Sequence, residues 1–169
     1  MNNLPDAEVL FEQLAKKIKP LIKSETALVG IHSGGAWLLE RILPLISPAG
    51  KQLANGILDV SFYRDDYSQR GLHTETRPSQ IPFEVEGRHI ILIDDVFYTG
   101  RTIRAAMNEL FDYGRPASIS LAVLVNRGGR ELPIAPQISA YETTLTPAQN
   151  LQLLRHADGH FYLTLEETS

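Results

Sequence analysis

The residues with the most chemical content sit in one stretch, Asp94-Asp95-Val96-Phe97-Tyr98-Thr99-Gly100-Arg101-Thr102. Two adjacent carboxylates follow the apolar run Ile90 to Ile93. Like charges side by side cost energy wherever water is partly excluded. Sugar hydroxyls donating hydrogen bonds, a bound cation or an arginine must compensate. Thr99-Gly100-Arg101-Thr102 then precedes a helical pattern. Glycine permits a tight turn, successive amides at a helix start form an anion cradle, and two threonine hydroxyls add donors. Each feature alone also fits a solvated loop and a helix cap. In this order, four to eight residues apart, they match one shape: a ribose carrying a 5-phosphate.

The elements that must position these groups are legible as alternating patterns. Asp6 to Lys19 reads as an amphipathic helix, with Leu10, Leu14 and Ile18 at helical spacing and Pro20 ending it. Ala27 to Ile31 is a short apolar run, read as a buried strand, followed by the tight turn His32-Ser33-Gly34-Gly35 and a helix over Ala36 to Ile46. Ile57 to Tyr63 is a further strand. Arg64 to Pro82 is polar and without periodicity, as expected of a functional loop or a small β-excursion. His89 to Ile93 is the strongest strand, Ile103 to Tyr113 a helix closed by Gly114 and Pro116, and Ser118 to Val125 a second buried strand. Beyond Asn126 the pattern weakens, with possible strands near Ile138 and over His160 to Leu165. Apolar strands alternating with helices predict an α/β fold, a mainly parallel central sheet flanked by helices. Ligands in such sheets bind at the carboxyl ends of strands, so the ends after Ile31, Ile93 and Val125 are where the chemistry is expected.

Composition narrows the class. The chain has 169 residues, 43% apolar and 21% charged, with 20 acidic against 16 basic side chains and a net charge of −4. These are the proportions of one ordinary globular domain, and they exclude intrinsic disorder. Cysteine is absent, which excludes disulfides, thiolate metal sites and cysteine nucleophiles. No signal peptide and no membrane span is visible, so a cytoplasmic location is expected. The acidic balance speaks against sequence-independent nucleic-acid binding as a main task. His73, His89, His156 and His160 have no metal-ligand spacing, and His32, at the end of the first strand, fits a satisfied loop histidine at least as well as a group approaching an anion. Trp37 reads as core or as an oligomer contact.

The run Ile91 to Thr102 resembles the phosphoribosyl-diphosphate motif of type I phosphoribosyltransferases. Several strings are similar to the PyrR family of pyrimidine-operon regulators and uracil phosphoribosyltransferases: Asp59 to Asp66, Asp94 to Ala106, Asp112 to Pro116 and Arg130 to Ile134. The resemblance covers nearly the whole chain. It implies one phosphoribosyltransferase domain with a flexible loop at about 64–83 and a small hood at about 126–169. It implies that Asp94 and Asp95 hold the ribose hydroxyls and that Tyr98, Thr99, Gly100, Arg101 and Thr102 surround the 5-phosphate. Ser33, Gly34 and Gly35 would form the pyrophosphate loop, and Arg64, with Asp65 and Asp66, the base of the flexible loop, where Arg64 either adds catalytic charge at the leaving pyrophosphate or is a surface arginine paired with Asp65 or Asp66. Val125, Asn126 and Arg127 would open the hood over the base, with Arg127 facing pyrophosphate or stiffening the hood. Purine-salvage relatives carry an aspartate where this chain has Tyr98, and a phenol is no carboxylate base at neutral pH.

The implied reaction joins uracil and phosphoribosyl diphosphate into UMP and pyrophosphate. Mg2+ is carried by the substrate rather than by a dedicated protein site. UMP and UTP are the implied effectors, and a homodimer or higher homo-oligomer the implied assembly. Many family members carry basic residues where this chain has Gly129, Ala135 and Tyr141, so RNA binding is not expected to be strong here. An aspartate is common in the family at Asn126, and a threonine-arginine pair at Ser33-Gly34. Three other readings stand beside the enzyme: a non-catalytic nucleotide-sensing regulator on the same fold, a phosphoribosyltransferase for another nucleobase, and a receiver-type phosphoacceptor domain. In the last of these the acidic pair would follow the first strand.

Overall fold

The computed structural model describes residues 3–47, 49–60 and 79–168. Helix α1 (Ala7–Ile18) starts at Asp6, whose carboxylate accepts the Glu8 amide at 2.9 Å, and Pro20 turns the chain into a 3-10 turn over Lys19–Leu21. Strand β1 (Thr26–Ile31) leads into α2 (Gly34–Ile46), then β2 (Ala54–Leu58), β3 (His89–Phe97), α3 (Arg101–Tyr113) and β4 (Ser118–Asn126). Three further strands follow: β5 (Ile138–Glu142), β6 (Gln149–Arg155) and β7 (Phe161–Glu167).

Five strands form one sheet in the order β2-β1-β3-β4-β5, every neighbouring pair parallel. β6 and β7 form a separate antiparallel hairpin. The strands are apolar throughout because both faces are covered. Ile91 and Ile93 point into a core shared with α1, α2 and the hairpin residues Leu151, Leu153 and Phe161. Ile90 and Leu92 point the other way, onto Ile103, Ala106 and Leu110 of α3. The two-residue alternation of a strand thus assigns each β3 side chain to one of two cores.

Several boundaries differ from the sequence reading, each for a local reason. α2 begins at Gly34 rather than Ala36, so both glycines belong to its first turn. α3 begins at Arg101 rather than Ile103. β2 begins at Ala54, and the expected Ile57–Tyr63 strand lies past Val60 outside the described residues. β3 runs to Phe97, four residues beyond the apolar run, because its ladder to β4 continues through Asp94, Val96 and Phe97. The aspartates are therefore strand residues, not loop residues. β6 was not anticipated: Gln149, Asn150 and Gln152 mask a strand whose apolar side is only Leu151 and Leu153.

Candidate active site

Strand order places the site. After β1 the chain crosses toward β2, and after β3 it crosses the opposite way toward β4. The crevice between these diverging connections is where doubly wound sheets take ligands. The β1–α2 turn and the β3–α3 turn meet there.

Asp94 and Asp95 are buried on β3, 2% and 7% exposed. Each carboxylate orders the backbone beside it: Asp94 accepts the Asp95 amide at 2.9 Å, and Asp95 accepts the Val96 amide at 2.7 Å. A carboxylate has about four acceptor sites, so a single amide leaves Asp95 capacity for a diol. The β1–α2 turn closes on this pair. A Cβ added at Gly34 would collide with the Asp95 carboxylate, and one added at Gly35 would collide with the Ile93 carbonyl. One added at Gly30 would lie 2.7 Å from the Gly35 carbonyl. Three glycines therefore let the start of α2 lie directly on β1 and β3. Ser33 precedes α2, and its peptide bond to His32 is cis.

Five residues past Asp95, the chain turns at Gly100, whose φ of +101° suits glycine alone. The first bond of α3 runs from the Arg104 amide to the Gly100 carbonyl at 2.9 Å. The amides of Arg101, Thr102 and Ile103 consequently have no carbonyl partner within the helix. The Thr99 hydroxyl accepts the Arg101 amide at 3.2 Å, and both Thr99 and Thr102 are buried. This is an anion cradle with its donors at the positive end of a helix.

The segment after β4 folds back over this turn. The Arg127 amide donates to the Phe97 carbonyl at 3.1 Å, and the Glu131 and Leu132 amides donate to the Thr99 carbonyl at 2.9 and 3.2 Å. The Asn126 side chain accepts the Gly128 amide at 3.2 Å, and Val125 is fully buried. Arg127 is 3% exposed. Its terminal nitrogens donate to the carbonyls of Gln149 and Thr146 at 2.7 and 2.8 Å, and its guanidinium lies 3.8 Å from the centre of the Tyr98 ring. These bonds tie the segment after β4 to the start of β6. Gly129 also borders Tyr98: a Cβ there would lie 2.5 Å from the ring. Arg101 reaches out to Glu131 at 2.9 Å across an exposed ion pair.

The structure thus brings together Ser33, Gly34, Gly35, Asp94, Asp95, Tyr98 to Thr102 and Val125 to Arg127. Arg64, Asp65 and Asp66 lie outside the described residues. Sequence reasoning missed Glu131, Thr146 and Gln149. Two of these act through backbone carbonyls, which no residue type announces. Among the described residues no group of three or more His, Asp or Glu side chains is placed to hold a metal ion.

A parallel sheet in this order, with an acidic strand end and an amide-lined helix start sharing one crevice, defines the class of phosphoribosyl transferase domains. The family model described as phosphoribosyl transferase domain matches residues 2–146. The chain is 46% identical over 156 residues to the bifunctional protein PyrR of Nitrosococcus oceani, covering 86% of this chain and 84% of that one. It is 47% identical over 155 residues to the bifunctional protein PyrR of Pseudomonas fluorescens, covering 89% and 90%. Among solved structures it is similar to a hypoxanthine-guanine phosphoribosyltransferase of Bacillus anthracis, with a TM-score of 0.64 at 15% identity over 88% of this chain and 86% of that one. A hypoxanthine phosphoribosyltransferase of Staphylococcus aureus gives 0.62 at 17% over 86% and 76%. At such identities these structures speak for the fold alone. The chain belongs to the PyrR family of phosphoribosyl transferase domain proteins.

Proposed function

We propose that the protein transfers the phosphoribosyl group of phosphoribosyl diphosphate to uracil, releasing pyrophosphate and forming UMP. The observation that carries this reading is the buried Asp94–Asp95 pair, with Gly34 on one side and the amide cradle of residues 99–102 four residues further on. The carboxylates accept the ribose hydroxyls, and the cradle and the Thr99 and Thr102 hydroxyls hold the 5-phosphate. The turn at Ser33, Gly34 and Gly35 offers backbone amides to the diphosphate. Displacement at the anomeric carbon passes through an oxocarbenium-like state, so the protein's work is alignment, charge stabilisation and exclusion of water. The donor set suits Mg2+ entering on the diphosphate, because Asp94 and Asp95 are hard oxygen donors at the ribose end of the site. When bound, the ion neutralises the leaving diphosphate.

Tyr98 favours a pyrimidine over a purine: it occupies the position of a purine-reading carboxylate, and its ring is bordered by Arg127 and Gly129. The hood is the segment from Asn126 onward, tied to the turn by Arg127. The family likeness extends the reading to regulation of pyrimidine genes, and the absence of cations at Gly129, Ala135 and Tyr141 argues against strong RNA binding as the means.

The test is Asp94→Asn with Asp95→Asn, assayed with uracil, phosphoribosyl diphosphate and Mg2+. UMP formation falls by at least about a thousandfold, while circular dichroism and the melting temperature stay near those of the parent. Near-normal turnover by the double variant overturns the assignment. A parent protein that binds UMP yet forms none from uracil favours the sensor reading instead.

A further inference from the structure

A second opening lies at the opposite edge of the sheet, where the strands begin. Its volume is about 800 Å³, and its lining includes Thr26 of β1, Asn55 of β2 and Arg88 immediately before β3. Six residues of extended chain separate Arg88 from Asp94, about 20 Å, so this cleft is distinct from the crevice above.

Its charge is unlike that of the molecule. Lys23, Lys51 and Arg88 line it, and no carboxylate does, in a chain of net charge −4. Among the described residues none of the three cations is in an ion pair. Arg88 is held in place: its Nε donates to the Glu84 carbonyl at 2.9 Å, and its guanidinium lies 5.6 Å from the centre of the Phe83 ring. The carbonyl end of α2 near Ala49 brings roughly half a negative charge, small against three full positive ones. Three cations around one hollow with no carboxylate among them raise the local positive potential and attract anions, and the hollow is within the range of small-ligand sites. Phe83 supplies an aromatic face and Asn55 an amide that can read a base edge.

We propose that this cleft binds a nucleoside polyphosphate, its phosphates on Lys23, Lys51 and Arg88 and its base against Phe83. Calorimetric titration with ATP and with inorganic tripolyphosphate, without Mg2+, tests it on four proteins: the parent, Lys23→Gln/Lys51→Gln/Arg88→Gln, Phe83→Ala and Asp94→Asn/Asp95→Asn. The parent and the aspartate variant bind ATP alike, within about twofold. The triple variant binds it at least about tenfold more weakly, as expected when three cations facing the phosphates are lost. Phe83→Ala weakens ATP but not tripolyphosphate. Should the triple variant fail to fold by circular dichroism, Lys23→Gln/Lys51→Gln, which changes exposed side chains only, is read in its place. No ATP binding at millimolar concentration, unchanged binding by the charge variant, or binding lost in the aspartate variant overturns the proposal. Tripolyphosphate binding as tightly as ATP overturns the nucleoside part. UMP formation is scored separately, so failure here leaves the reading of Asp94 and Asp95 untouched.

Discussion

A methyl group at Gly34 would occupy the space of the Asp95 carboxylate. Asp95 cannot retreat freely, because it also holds the Val96 amide at 2.7 Å in the central strand. Gly34→Ala therefore forces either the β1–α2 turn or the acidic pair out of place. We expect a stability loss of about 1–3 kcal/mol, the usual cost of overpacking, read by denaturant titration. UMP formation should fall further, by about a hundredfold, because the turn and the ribose clamp shift together. Equal activity in Gly34→Ala and the parent would show that the turn takes no part. Arg127 gives a second prediction at this scale. Its side chain satisfies the Thr146 and Gln149 carbonyls and covers Tyr98. Arg127→Met keeps the bulk and removes both bonds, which should cost about 2–4 kcal/mol in chemical denaturation. The KM for uracil should rise more than that for phosphoribosyl diphosphate if the Tyr98 ring that Arg127 covers is the one proposed to face the base. Of these residues, the acidic pair and Thr99 to Thr102 stood out in the sequence by their types and spacing, whereas Gly34 and Gly35 read only as a tight turn and took their role from the family resemblance. The partners of Arg127 were not, because backbone carbonyls twenty residues away carry no label.

Elements are joined by a cluster on which the sequence is silent. Arg41 of α2 makes paired bonds with Glu8 of α1 at 2.7 and 2.8 Å, and its guanidinium lies 4.2 Å from the Phe11 ring and 4.4 Å from the Phe161 ring of β7. Glu8 also accepts the Phe161 amide at 2.9 Å. Two helices and the hairpin thus share one guanidinium and one carboxylate. The Arg41 guanidinium, helped by the Phe161 amide, holds the Glu8 carboxyl below its ordinary pKa against the opposing effect of burial. A lowered folded-state value means stability present above the unfolded pKa of glutamate. It is lost as the pH falls from there through the folded-state value. Glu8→Gln should therefore flatten the acid limb of the stability-against-pH curve and leave its shape above neutrality unchanged. A double-mutant cycle with Arg41→Met should give a coupling of about 1 kcal/mol. A curve of unaltered shape in Glu8→Gln would assign the acid sensitivity to other carboxylates. The hairpin this cluster anchors was half legible. The strand over His160 to Leu165 was expected, and at the turn before it the Asp158 carboxylate accepts the His160 amide at 3.0 Å. β6 itself was hidden, since a strand with one narrow apolar side shows little alternation when amides fill the other. Helices α1 and α3 were legible because their inward residues repeat at helical spacing.

On the scale of the whole molecule, charge and topology answer different questions. The parallel sheet was legible as a class from apolar runs alternating with helices, whereas the order β2-β1-β3-β4-β5 was not. Pairing is decided by contacts between distant segments, and no local pattern records them. Net charge was legible at once, but its clustering needed the fold: Lys23, Lys51 and Arg88 converge only because three strands start side by side. The same reasoning bears on RNA. Phosphate contacts supply much of RNA affinity and make it fall steeply with salt. Gly129 has a φ of +94° and abuts Tyr98, so a side chain there would be strained as well as crowded. Tyr141 is partly covered by the α1 core, and Ala135 offers an exposed position without charge. A chain of net charge −4 that lacks cations at these three places has little with which to release counterions from an RNA backbone. We expect a pyrimidine-operon leader transcript to be retained no better than a scrambled RNA of equal length in filter binding. We also expect a shallow dependence on salt. Tight retention of the leader alone, weakening steeply with added salt, would place a basic face elsewhere on this molecule, and the cleft at the strand starts would be the first surface to mutate.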